Sequence, residues 1–229
     1  ARPGVYHRYE NVGGVSIAGA INGIGAGVIR ANWGPLNKVV EFGPSTKVST
    51  IYGSGNTEDL ITEMFAGGLT GGFFVRAGSG GTAPTLALKL ESGGDAGTIT
   101  GAYVGDRAFT ASIRDSIITD QRECVIYEGT AEFLKVSFAP GGDEPAALKA
   151  AMANATKDFM FLPAENVTGA LAGVIQAEFT PGTNPTTTNA DYSNAFDALE
   201  PYVYNVICLD TDSISVQMLL DAYLDRVYE

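Results

Sequence analysis

The sequence predicts a mixed α/β fold: an α/β core interrupted by a block of antiparallel strands, with an extended arm at its N-terminal end. Three observations predict it. The order strand–strand–helix–strand before residue 78, and helix–strand–helix after residue 188, is that of a sheet covered by helices. From Thr82 to about Ala139 the chain instead reads as short alternating runs separated by glycine turns, the texture of a β-sandwich. Gly78-Ser79-Gly80-Gly81 and the Pro/Gly/Thr-rich stretch 178–185 mark the two changes of texture and read as linkers. The expected division is an arm and hinge at 1–22, a first part of the α/β core at 23–81, an inserted sandwich at 82–180 and a return to the core at 181–229.

The arm comes first. Pro3 fixes its own φ and pushes Arg2 out of the helical region, and Gly4 turns the backbone. In the extended run Val5-Tyr6-His7-Arg8-Tyr9-Glu10, residues 5, 7 and 9 would share one strand face. Gly13-Gly14 uncouples this run from the rest of the chain and acts as a hinge. No local partner exists for a hairpin, so Val5, Tyr6 and Tyr9 are expected to complete a sheet elsewhere, in another subunit.

Residues 25–31 and 39–42 are expected strands. Ser45 is the expected cap of a short helix ending at Gly53. Asn56 or Thr57 caps a helix with Leu60, Ile61, Met64 and Phe65 on one stripe, stopped by Gly67-Gly68. Residues 73–77 form a buried strand. In the middle block Leu86, Leu88 and Leu90 alternate with polar or small residues, as do Phe109, Ala111 and Ile113. Residues 124–127 and 132–138 flank the turn Glu128-Gly129-Thr130 as a hairpin. Asp143 caps a helix with Pro145 in its first turn, and residues 159–162 are a short strand. In the last part Asn189 caps a helix carrying Tyr192, Phe196 and Leu199. Residues 203–209 read as an apolar strand covered on both faces, and Asp212 caps a final helix with Val216, Leu220, Tyr223 and Val227 in line. A parallel sheet ordinarily goes on from such a helix to another strand, so further residues are expected beyond 229.

Composition narrows the function. The chain has 229 residues, 45% hydrophobic and 17% charged, which suits a buried core. A net charge of −12 argues against nucleic acid and anionic membranes as partners. Cys124 and Cys208 are the two cysteines; both lie in apolar runs and read as buried free thiols rather than a disulfide or a zinc site. No apolar stretch approaches the ~18 residues of a spanning helix, and no leader precedes the arm. A cytoplasmic origin is the expectation.

The sequence motifs carry little chemistry. His7 is the single histidine and sits in the arm, whereas a Ser-His-Asp set would need it held rigidly beside a serine. Gly23-Ile24-Gly25-Ala26-Gly27 has the wrong spacing for a dinucleotide loop and precedes a strand. Asp210-Thr211-Asp212 begins like a calcium loop, but Ile214 occupies the next ligand position. Acidic pairs such as Asp120/Glu123 read as solvated faces. No catalytic set, metal site or cofactor is expected; a structural role is favoured over an enzyme. A receptor-binding or baseplate module is the alternative, although the sandwich loops lack the aromatic or metal cluster it would use.

Two blocks of residues carry a family resemblance. Arg2-Pro3-Gly4-Val5-Tyr6 resembles the opening of contractile tail sheath proteins of myophages, prophages and R-type bacteriocins. Thr188-Asn189-Ala190-Asp191-Tyr192, then Ala195-Phe196-Asp197-Ala198-Leu199-Glu200, then Asn205-Val206-Ile207-Cys208, resembles the family's later helix–strand block. The linker departs from it: Pro181-Gly182-Thr183-Asn184-Pro185 stands where relatives often carry a double glycine. The resemblance implies a subtilisin-like, non-catalytic core with an inserted sandwich, and a C-terminal domain beyond this chain. It also implies polymerisation of copies as helical hexameric rings around a tail tube above a baseplate, in a virion tail assembled in the host cytoplasm. Contraction of that sheath would drive the tube through a cell envelope.

Overall fold

The computed structural model describes residues 23–53, 56–117 and 120–228. In chain order the elements are β1 (Ile24–Ile29), β2 (Val39–Phe42), α1 (Val48–Tyr52), α2 (Asn56–Ala66), β3 (Gly71–Arg76), β4 (Thr85–Lys89), β5 (Asp95–Gly101) and β6 (Thr110–Asp115). They continue with β7 (Arg122–Glu128), β8 (Ala131–Phe138), α3 (Glu144–Ala155), β9 (Phe159–Pro163), β10 (Val174–Glu178), α4 (Asn189–Leu199), β11 (Val206–Leu209) and α5 (Ile214–Tyr228).

The first sheet has the order β11-β1-β3-β2. β1 runs parallel to both β11 and β3, and β2 closes the other edge antiparallel to β3. Strand alternation sends successive side chains to opposite faces. Ala26, Val28 and Val75 pack against Tyr192, Phe196, Val216 and Tyr223 of α4 and α5. Ile29 and Phe74 pack against Val48, Tyr52 and Ile61 of α1 and α2. Helices therefore cover both faces, as the alternation of elements predicts.

Strands 85–178 form two antiparallel sheets, β10-β6-β7-β8 and β4-β5-β9. Their inward residues, among them Leu88, Ile99, Phe109, Ile126, Phe138 and Phe159, make one core that α3 closes with Leu148 and Met152. The expected α3 cap is present: the Asp143 carboxylate accepts from Ala146 N–H at 3.2 Å, with Pro145 in the first turn. Glu144 beside it is 2% exposed and accepts from Arg122 Nη1 at 2.5 Å and from Leu171 N–H at 2.8 Å.

Several local expectations shift. Lys47, not Ser45, is the α1 cap, and no side chain caps that helix. Thr188, not Asn189, caps α4, in a reciprocal box with Asp191 that satisfies two otherwise orphaned donors. The first bonds of α5 go to the Ser213 carbonyl rather than to Asp212. β10 has no counterpart in the sequence reading, because Gln176, at φ 46°, breaks its alternation with a bulge. β11 is shorter than expected and lies at the sheet edge, so Val206 is 39% exposed and Cys208 half-buried rather than covered on both faces.

Glu123 is not a solvated acid. It is 3% exposed on central β7, held by Lys135 at 2.7 Å and Arg114 at 2.7 Å. The Lys135 ammonium beside it holds its carboxyl below the ordinary carboxylate range, followed by the hydrogen bond from Arg114 and against the opposing effect of burial. A carboxyl lowered by folding stabilises the fold above its unfolded value of about 4.3, and that stability is lost as pH falls through the folded value. Glu123→Gln is therefore expected to flatten the acid side of the stability curve, read by urea unfolding between neutral pH and pH ~3. An unchanged acid slope would contradict the assignment.

Candidate assembly surfaces and a closed sheet crevice

In α/β sheets, ligands bind where the parallel strands end. At that place here β1 gives way to Arg30 and β11 to Asp210. Asp210 takes the Arg30 main-chain N–H and Nε on one oxygen and the Tyr192 hydroxyl, at 3.0 Å, on the other. Its main-chain carbonyl accepts Arg30 Nη2 at 2.8 Å. Burial, then the Asp210 charge, pushes the Tyr192 hydroxyl up to about 12, so it stays a neutral donor. These groups consume one another and fasten two strands together.

The other sequence motifs are absorbed in the same way. Gly25 and Gly27 lie inside β1, where a Cβ would strike the Leu69 and Phe74 side chains; they serve close packing rather than a phosphate. Thr211 accepts from Ser213 N–H at 3.2 Å. Burial pushes the Cys124 thiol up to about 12 and raises that of Cys208, the opposite of an activated nucleophile. Among the described residues no group of three His, Cys, Asp or Glu could hold a metal ion. His7, the expected arm residues Val5, Tyr6 and Tyr9, and the hinge Gly13 and Gly14 lie outside the described residues.

A seam that sequence reasoning missed joins the helix-covered sheet to the antiparallel sheets. Arg76, 0% exposed at the end of β3, donates to the carbonyls of Ala31 at 3.0 Å, Gly34 at 2.8 Å and Val104 at 2.9 Å. Burial lowers its pKa to about 10, which leaves it cationic at neutral pH. Trp33, from the loop after β1, inserts into the core of the antiparallel sheets against Tyr103, Phe109 and Phe159. The two linkers pair with each other: Ser79 bridges Thr186, Thr82 bridges Thr183 and Thr85 bridges Thr180. Gly182 allows this approach, since a Cβ there would lie 2.2 Å from the Thr82 carbonyl oxygen. The seam is a clasp, not a swivel. Arg76→Met is expected to cost about 1–3 kcal/mol by stripping donors from buried carbonyls; a thermal or urea midpoint equal to wild type would contradict that.

The outer surface carries large apolar side chains. Met160 and Leu162 are exposed on β9, Ile175 on β10, and Val203, Ile214 and Met218 near β11 and α5. Ile117, after β6, is 100% exposed. Among the described residues β11 and β2 end one sheet, β10 and β8 a second, β4 and β9 a third. Such edges present unpaired backbone groups that accept an added strand. No helix among the described residues is long and apolar enough to cross a membrane.

No family model and no curated protein matches the chain. Solved structures do. The chain is similar to a sheath tail protein from Desulfitobacterium hafniense, with 19% identity and a TM-score of 0.70, over 99% of this chain and 50% of that one. It is also similar to a sheath tail protein from Listeria innocua, with 14% identity and a TM-score of 0.62, over 89% of this chain and 44% of that one. The chain thus spans half or less of the length of these structures, and it shares the fold of their matched part.

Proposed function

We propose that the chain is a structural subunit of a contractile, phage-type tail sheath. One observation carries the reading: its fold follows that of a solved sheath tail protein over 99% of the chain. The N-terminal and later sequence blocks point the same way, and so does the crevice, whose polar groups are spent on holding strands together. In this reading the α/β core, 23–81 and 181–229, is the subtilisin-like but non-catalytic body, and 82–180 is a sandwich inserted into it. Copies polymerise as helical hexameric rings around a tail tube above the baseplate, in a virion tail assembled in the host cytoplasm. The sheath shortens to drive the tube through a cell envelope.

The arm is the proposed coupling element. Ordering a free residue costs about 1–2 kcal/mol, while a main-chain hydrogen bond returns only about 0.5–1.5 kcal/mol net. Backbone pairing alone therefore does not hold the arm. Val5, Tyr6 and Tyr9 must bury apolar surface on a neighbour, with Gly13 and Gly14 letting the body turn while the strand stays paired. Electron microscopy of the complete protein tests the reading. Tubes built of sixfold rings are the expected result. A protein that stays monomeric under assembly conditions would overturn it.

A further inference from the structure

We propose that, in the complete protein, the chain following residue 229 forms a strand parallel to β11 on its free side, which makes β11 an interior strand of the helix-covered sheet. The inference concerns the body of the subunit and does not rest on the sheath reading.

The residues of β11 are those of an interior strand. Val203-Tyr204-Asn205-Val206-Ile207-Cys208-Leu209 carries no charge and no proline. A strand buried on both faces reads as a near-continuous apolar run of this kind. Sheet edges are ordinarily guarded by charge, by proline or by a cover. β2, at the other edge, has that guard: Lys38 precedes it, Glu41 lies exposed within it and Pro44 follows. β11 has none, and at its start Val203 is 75% and Val206 39% exposed. Among the described residues β1 is the one strand that pairs with β11.

The topology leads to the same side. β3 and β11 run parallel to β1 on either side of it. From β3 the chain passes through the antiparallel sheets and returns by α4 to the start of β11. α4 lies on the face of Ala26, Val28 and Val75, and α5, leaving the end of β11, packs on that same face through Val216 and Tyr223. α5 runs back to where β11 begins. The Tyr223 hydroxyl lies 2.7 Å from that of Tyr204, just before β11, and Arg226 donates to Asp197 and Glu200 at the end of α4, at 2.7 and 2.9 Å. A strand taken up there on the free side of β11 repeats the crossover that α4 makes: the same face, the same direction across the sheet and so the same hand. The other side of β11 is filled by β1. The first of the solved structures above carries about as much chain again outside the part matched here, length enough for such a strand. A β11 covered in this way is closed to the arm of a neighbouring copy, which leaves that role to another edge.

Photo-cross-linking of the complete protein tests this. p-Benzoylphenylalanine replaces Val206 in one variant and Val203, the more exposed site, in a second, so that a folding defect in one leaves the other to decide. Each protein is irradiated as a monomer, digested and mapped by mass spectrometry. The products are expected to include a link to a peptide beyond residue 229 of the same chain. Links confined to residues 1–229, a link to a second copy seen as a covalent dimer on a denaturing gel, or no link from either site overturn the inference. None of these outcomes touches the sheath reading, which fails separately if the wild type builds no tubes.

Discussion

Glu144→Ala is expected to destabilise the protein by about 3–5 kcal/mol, because it strands a buried cation. The Arg122 side chain is 9% exposed, and its remaining carboxylate partner, Asp115, lies at 3.4 Å on a side chain that is 91% exposed. Glu144 also takes the Leu171 N–H, so one substitution leaves a buried guanidinium poorly compensated and a buried amide without its acceptor. The same carboxylate anchors the start of α3 to β7, so α3 loses that tie and is held by the packing of Leu148 and Met152. The double change Arg122→Met with Glu144→Leu removes both charges and is expected to cost clearly less than Glu144→Ala alone. Urea unfolding at neutral pH reads both. A single variant within ~1 kcal/mol of wild type would refute the account of this pair.

Trp33→Ala is expected to cost a similar amount, about 3–5 kcal/mol, through the cavity it leaves. Its consequence is larger than its size. Trp33 is 1% exposed and its ring lies 5.1–5.6 Å from three other rings of the antiparallel core, while its backbone belongs to the loop leaving β1. Removing it unpins the two cores from each other. Wild type is expected to unfold in one transition, and Trp33→Ala in two, with the antiparallel sheets and the helix-covered sheet melting at different urea concentrations. Trp33 is the single tryptophan, so circular dichroism must follow the variant. Two transitions in wild type, or one unshifted transition in Trp33→Ala, would contradict the clasp.

Much of the fold was legible in the residues because hydrophobic periodicity and caps act locally. Val28 and Ile29 face opposite ways in β1 as alternation requires, and Pro145 and Asp143 start α3 as their chemistry dictates. What escaped depended on distant partners. Arg76 reads as the polar end of a strand until three carbonyls from other segments surround it. Glu123 reads as a surface acid until β6 and β8 bring Arg114 and Lys135 beside it. The stretch 178–185 reads as a linker because its composition is that of a loop, yet its backbone pairs with 79–85 across the fold. Val206 and its neighbours carry the apolar signature of a covered strand, but coverage is set by position in the sheet, and β11 lies at its edge.

The proposed coupling of copies turns on the first ten residues and where they bind. Cryo-electron microscopy of tubes assembled from the complete protein addresses this directly. Residues 5–9 of one copy are expected to run as a strand along the sheet edge of a neighbour, with Val5 and Tyr9 buried between the two copies. The same residues folded back on their own subunit, with no strand crossing between copies, would contradict the account.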